Sequence, residues 1–133
     1  MLNQKDKIYD RDVLQWWHDA LQKTEIRCCD WKDAVSDCPK DTFFFFDPPY
    51  RESFADYGNG FSDEQLIDLI SFCDKQTCVM LSNRDDEDWF AKQEHTLESA
   101  NFDIFYTAGR RKKTKEGFDA KKAREILLYR VSI

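Results

Sequence analysis

The sequence predicts an α/β fold built around parallel strands, and three features carry that expectation. The first is Phe43-Phe44-Phe45-Phe46, an unbroken apolar run that stops at Asp47-Pro48-Pro49-Tyr50. A run of strand length that does not alternate and is closed by proline reads as a strand covered on both faces, the usual state of a parallel strand. The second is the alternation of helix-like and strand-like periodicity from Asp10 to Gln93, which suits crossover connections. The third is a pair of strand-like segments late in the chain, Asn101–Tyr106 and Glu125–Val131.

The elements follow in order. Asp10 to Lys23 reads as an amphipathic helix, with Asp10 as N-cap and Val13, Leu14, Trp17 and Leu21 at helical spacing. Glu25 to Cys29 reads as a short strand, after which Asp30 caps a helical turn through Trp31, Ala34 and Val35. Ser36 to Lys40 is a polar connection, and Pro39 closes off the turn before it. The strand Thr42 to Phe46 leads into a loop, Arg51 to Phe61, whose Gly58, Asn59 and Gly60 make either a hinge or an ordinary turn.

Ser62-Asp63-Glu64-Gln65 has the form of a capping box, and Leu66, Ile67, Leu69, Ile70 and Cys73 follow it at core spacing. Cys78 to Leu81 is the next buried strand. It ends at Ser82-Asn83-Arg84-Asp85, where Asn83 and Asp85 read as caps of a helix from Asp86 to Gln93. Asn101 to Tyr106 alternates as a strand with one face buried, and Glu125 to Val131 forms the last strand.

At 133 residues the chain has the size of a single domain, 1–133. Its 35% charged residues and mean hydropathy of −0.73 are offset by eleven Phe and four Trp, enough apolar area for a core. No stretch approaches the roughly 18 apolar residues of a membrane span, and Lys5, Asp6, Lys7 and Asp10 leave no signal-peptide core. Five cysteines, an odd number with Cys28 and Cys29 adjacent and no C-x-x-C pair, argue against a disulfide framework or a metal site. The two histidines, His18 and His95, match no ligand spacing, so no metal is expected and a reducing cytoplasm fits best.

The net charge of −6 disfavours unaided binding to duplex DNA, whose affinity comes largely from phosphate neutralisation. One basic concentration stands against it: Arg110, Arg111, Lys112, Lys113 and Lys115, followed by Lys121, Lys122 and Arg124. Such a run is either a solvated loop or, if it lies near the Asp47 end of the sheet, a holder of phosphates.

The chemistry of the Asp47 segment follows from its composition. In open α/β sheets, ligands bind beyond the carboxyl ends of the strands. Pro48 and Pro49 fix φ at about −65° and remove two backbone donors, which leaves an acceptor-rich turn. The Asp47 carboxylate, the Pro48 carbonyl and the flat Tyr50 ring suit a planar group bearing an amine: the ring stacks and the amine hydrogens find acceptors.

Asp47-Pro48-Pro49-Tyr50 resembles the catalytic DPPY motif of amino-methyltransferases acting on nucleic-acid bases, and residues 25 to 131 resemble the C-terminal half of Dam-like DNA adenine methyltransferases. The resemblance implies a partial class I (Rossmann-like) methyltransferase sheet with a C-terminal antiparallel strand pair. It also implies S-adenosylmethionine as cofactor and DNA as partner. Asp47, Pro48, Pro49 and Tyr50 would be catalytic, with Asp30 and Asp47 binding the cofactor. Cys29-Asp30-Trp31 resembles the family's acidic-aromatic step, Ser82-Asn83-Arg84-Asp85 its Ser-Asn-x-Asp step, and Arg110 to Lys115 its DNA-contacting loop.

The family's Phe-x-Gly-x-Gly loop has no counterpart, because the four glycines lie at 58, 60, 109 and 117, and no target-recognition domain is visible. In the family's sheet two further strands separate the Cys28-Cys29 strand from the Phe strand. Without them the Phe strand has an open apolar edge, a feature that proteins pair or cover. Direct pairing with the first strand, self-association, or a second polypeptide supplying the cofactor loop would close it. Two readings of function follow: a DNA adenine methyltransferase acting as a partial chain or subunit, or a non-enzymatic, methyltransferase-derived binding module.

Overall fold

The computed structural model describes residues 10–51, 61–85, 87–106, 113–114, 117–118 and 121–132. The chain divides into two compact units, Met1–Cys38 and Pro39–Ile133.

In the first unit, α1 spans Arg11–Leu21. Asp10 caps it as expected, its Oδ1 accepting from Asp12 N at 3.0 Å and Val13 N at 3.4 Å. The apolar stripe of Val13, Leu14, Trp17 and Leu21 is formed but exposed, and no residue among 10–38 is buried. The strand expected at Glu25–Cys29 does not form: these residues are exposed and join no ladder among the described residues. A lone strand leaves its backbone groups without partners, and side chains hold the segment instead. Arg27 Nε donates to Glu25 Oε1 at 2.7 Å and its Nη1 to Asp37 Oδ1 at 2.8 Å, and these bonds hold both carboxyls below their usual range. The short helix α2, Trp31–Val35, starts at Asp30, whose Oδ1 accepts from Lys32 N at 2.8 Å.

The second unit is a mixed α/β structure. Its strands β1 (Phe44–Phe46), β2 (Cys78–Arg84), β3 (Glu98–Tyr106) and β6 (Lys121–Val131) form one sheet in the order β1-β2-β6-β3. Two further strands, β4 (Lys113–Thr114) and β5 (Gly117–Phe118), pair with each other. β1 and β2 are parallel, as the Phe run predicts, with Phe44 opposite Val79 and Phe46 opposite Leu81. The connection between them contains α3, Asp63–Cys73, opened by the expected capping box between Ser62 and Gln65. β3 and β6 form the antiparallel pair that the resemblance implies, and β6 also pairs antiparallel with β2.

The core lies between α3 and one face of the sheet. Leu66, Leu69, Ile70 and Cys73 from α3 are buried, as are Val79 and Leu81 from β2 and Ile126 and Leu128 from β6. Phe72 meets the stacked pair Phe44 and Phe46 edge-on, at ring separations of 5.4 and 5.9 Å. Burial pushes the Cys73 thiol up to about 12 and keeps it unreactive.

Several sequence expectations need correction. β1 is not covered on both faces: it is an edge strand, and alternation leaves Phe43 and Phe45 51% and 60% exposed while Phe44 is buried. Direct pairing with a first strand does not close that edge among the described residues. β3 lies at the other edge, so Ala100 and Ile104 are only partly buried and Phe102 and Phe105 remain exposed.

β2 outlasts its predicted end at Leu81, and the helix expected over Asp86–Gln93 is replaced by a 3₁₀ turn at Phe90–Lys92. The ladder to β6 continues through Arg84 opposite Glu125. Asp85 Oδ1 then accepts from Trp89 N at 2.6 Å, and Asp88 takes a φ of 54°, which an α-helix does not accommodate. Asp85 thus closes a turn, and Asn83 belongs to the strand rather than to a cap. The loop glycines Gly58 and Gly60 and the basic residues Arg110, Arg111, Lys112 and Lys115 lie outside the described residues.

Candidate functional site

β1 delivers Asp47 to the carboxyl end of a parallel strand, beside the carboxyl end of β2. The two prolines prevent β1 from continuing as a ladder, and the segment from Asp47 to Arg51 crosses that end of the sheet. Side chains from several other elements hold it.

Ser82 of β2 donates from Oγ to Asp47 Oδ1 at 2.7 Å and lies 3.3 Å from the Phe46 carbonyl, fixing one carboxylate oxygen. Asp47 is exposed, and a carboxylate has two oxygens with several lone-pair directions, so it keeps acceptor capacity toward a ligand. The next residue of β2 belongs to the opposite, buried row of Val79, Leu81 and Asn83. Asn83 is 1% exposed, and an amide at that depth must be satisfied. Its Oδ1 accepts from Arg51 N at 3.0 Å and Arg84 N at 2.8 Å, and its Nδ2 donates to the Pro49 carbonyl at 3.4 Å. Asn83 therefore grips the backbone on both sides of Tyr50.

The Tyr50 hydroxyl donates to Glu125 Oε1 of β6 at 2.9 Å. The Arg51 side chain turns the other way, with Nε on Asp63 Oδ1 at 3.0 Å and its guanidinium 5.0 Å from the Trp89 ring centre. The turn is thus tied to the first turn of α3 as well as to β2 and β6.

Of the residues singled out in the sequence, Asp47, Pro48, Pro49 and Tyr50 come together on this turn. Asp30 belongs to the first unit and caps α2. Lys113 lies in β4. β3 runs parallel to β2, so it ends, and β6 begins, at the same end of the sheet as Asp47. Sequence reasoning passed over Glu125, met Ser82 only as part of the Ser-Asn-x-Asp step, and read Asn83 as a cap. Ser82 and Asn83 carried a signal in that step, and Glu125 carried one as an acid heading the apolar run Ile126-Leu127-Leu128.

Among the described residues no group of three or more His, Cys, Asp or Glu is suited to a metal ion, and no helix is long and apolar enough to cross a membrane.

A mixed α/β unit with an Asp-Pro-Pro-Tyr turn at the end of a parallel strand is compatible with a methyltransferase fold. The chain belongs to the D12 class N6 adenine-specific DNA methyltransferase family, whose family model matches residues 2–105. No curated protein and no solved structure matches it. The family's chemistry is methylation of adenine N6 in DNA.

Proposed function

We propose that this chain carries the amine-binding part of an S-adenosylmethionine-dependent transfer of a methyl group to adenine N6 in DNA, acting as a partial chain or subunit whose cofactor loop comes from elsewhere. The observation that carries the proposal is the Asp47–Arg51 turn, held at the carboxyl end of β1 by Ser82, Asn83, Glu125 and Asp63. A turn fixed from so many sides is preorganised, the condition under which fixed dipoles stabilise developing charge.

An adenine extruded from the duplex stacks on Tyr50, and its amine donates to the Asp47 carboxylate and the Pro48 carbonyl. The Pro48 carbonyl suits this role because Asn83 bonds to the Pro49 carbonyl instead. These acceptors orient the amine and take up the positive charge that grows on nitrogen as its new bond to carbon forms. When bound, the cofactor would supply the electrophilic methyl group, its sulfur–carbon bond breaking to leave a neutral thioether, and the amine would shed one proton to Asp47 or to water.

For the cofactor, Asp30 keeps acceptor capacity beyond its bond from Lys32 N and suits an adenine amine. No glycine lies between Cys28 and Phe46 to let the backbone approach the methionine part, so another segment has to supply that cradle. The open β1 edge is where a further strand fits. The basic residues Arg110, Arg111, Lys112, Lys113 and Lys115 fall in the connection between β3 and β6, which leaves the sheet at the Asp47 end, and they are assigned to DNA phosphates. The missing glycine loop favours a second reading, a methyltransferase-derived module that binds without turnover.

Calorimetric titration of S-adenosylmethionine, followed by transfer of labelled methyl to adenine-containing DNA, separates the two. Saturable binding lost in Asp30→Ala, with transfer abolished in Asp47→Ala, supports the enzyme. Transfer that survives Asp47→Ala overturns the mechanism, and DNA binding with no cofactor binding even once the missing segment is supplied supports the module.

A further inference from the structure

We infer that Glu125 is a positioning residue for the target base, acting through the hydroxyl of Tyr50; the inference rests on the stacking role proposed for that ring. Glu125 lies outside residues 2–105, the part of the chain that the family model matches, and 75 residues from Tyr50 in sequence. Their contact is a product of the sheet. β6 pairs with β2, Arg84 opposite Glu125, and this brings the carboxylate to the strand end that Tyr50 crosses.

Three observations give the contact a purpose beyond folding. First, Glu125 opens a run of Ile126, Leu127 and Leu128 and is itself only partly exposed. A carboxylate in that setting loses hydration that an apolar residue would not, so it needs a partner. Second, Tyr50 is held at its backbone end by Asn83, through Pro49 O and Arg51 N, and at its tip by Glu125. Anchoring both ends fixes where the ring sits, and because a phenolic O–H prefers to lie in the ring plane, the bond to Glu125 also disfavours rotation of the ring about its own axis. Third, a hydrogen bond at the phenol oxygen lies in the ring plane and uses no part of the π face, where a base stacks. The ring plane is then set before the base arrives, and binding does not have to order it.

The test is a double-mutant cycle with the full chain and a short single-stranded DNA carrying one 2-aminopurine, a fluorescent adenine analogue whose emission falls on stacking. Glu125→Met keeps side-chain length but has no oxygen acceptor. It is expected to weaken the quenched complex about 10-fold, the size of one charge-assisted hydrogen bond. Tyr50→Phe should do the same, and the double variant should be no weaker than Tyr50→Phe alone, because both changes remove one contact. Glu125→Gln, which retains an acceptor oxygen but not the charge, should recover part of the lost quenching and affinity.

Additive losses in the cycle, or a Glu125→Met variant that quenches like wild type, would overturn the positioning role while leaving the stacking role intact. If the wild-type chain does not quench the probe, or Tyr50→Ala quenches as well as wild type, the stacking role itself fails and the inference goes with it.

Discussion

Replacing Asn83 with alanine should loosen the Asp47–Arg51 turn more than any exposed substitution in it. The amide is 1% exposed and accepts from two backbone N–H groups at 3.0 and 2.8 Å, with a longer donation to Pro49 O at 3.4 Å. Each well-formed bond contributes about 1 kcal/mol net, and a donor left buried without a partner adds its own penalty. Together these give a loss of about 2–3 kcal/mol, large against the 5–15 kcal/mol that stabilises a typical domain. Urea unfolding should show a lower midpoint with an unchanged slope, and hydrogen exchange should show the Arg51 amide losing protection while those of Val79 and Leu81 keep theirs. A stability change under about 0.5 kcal/mol with Arg51 still protected would refute the clamp.

Two further outcomes are expected. Asp74 Oδ1 accepts from Thr96 N and Oγ1, both at 2.8 Å, and from Arg130 Nη2 at 3.0 Å, and these bonds, those from Thr96 foremost, hold its carboxyl below its usual range. A lowered folded-state value stabilises the fold above the unfolded value and is lost as pH falls through the folded one. The melting-temperature gap between wild type and Asp74→Asn should therefore be constant from pH 5 to 8 and shrink below about pH 4; a gap unchanged down to pH 2 would refute the linkage. Phe45 is 60% exposed on the β1 edge, so Phe45→Lys should reduce concentration-dependent association in sedimentation velocity without lowering the urea midpoint. Equal association by both chains would show that this edge is not the contact.

Local chemistry made much of both units legible. The capping box of α3, the caps at Asp10 and Asp30, the parallel setting of the Phe run and the strand character of β3 and β6 all follow from spacing and short-range hydrogen bonding. Two elements resisted for one reason. Glu25–Cys29 has strand-like composition without a strand to pair with among the described residues, and Asp86–Gln93 has helix-like composition beside a β6 ladder that keeps β2 extended to Arg84. Composition records what a segment tolerates, whereas the neighbouring strand decides what it adopts.

The same division runs through the site. The sequence by itself determined the acceptor-rich Asp-Pro-Pro-Tyr turn and its family, because proline stereochemistry and an acid at a strand end are properties of adjacent residues. Only the tertiary structure decided what holds that turn. Ser82, Asn83 and Glu125 lie between 32 and 75 residues away from their partners. Strand pairing alone brings them together, because hydrogen bonds reach about 3 Å and only the sheet register brings such distant residues that close.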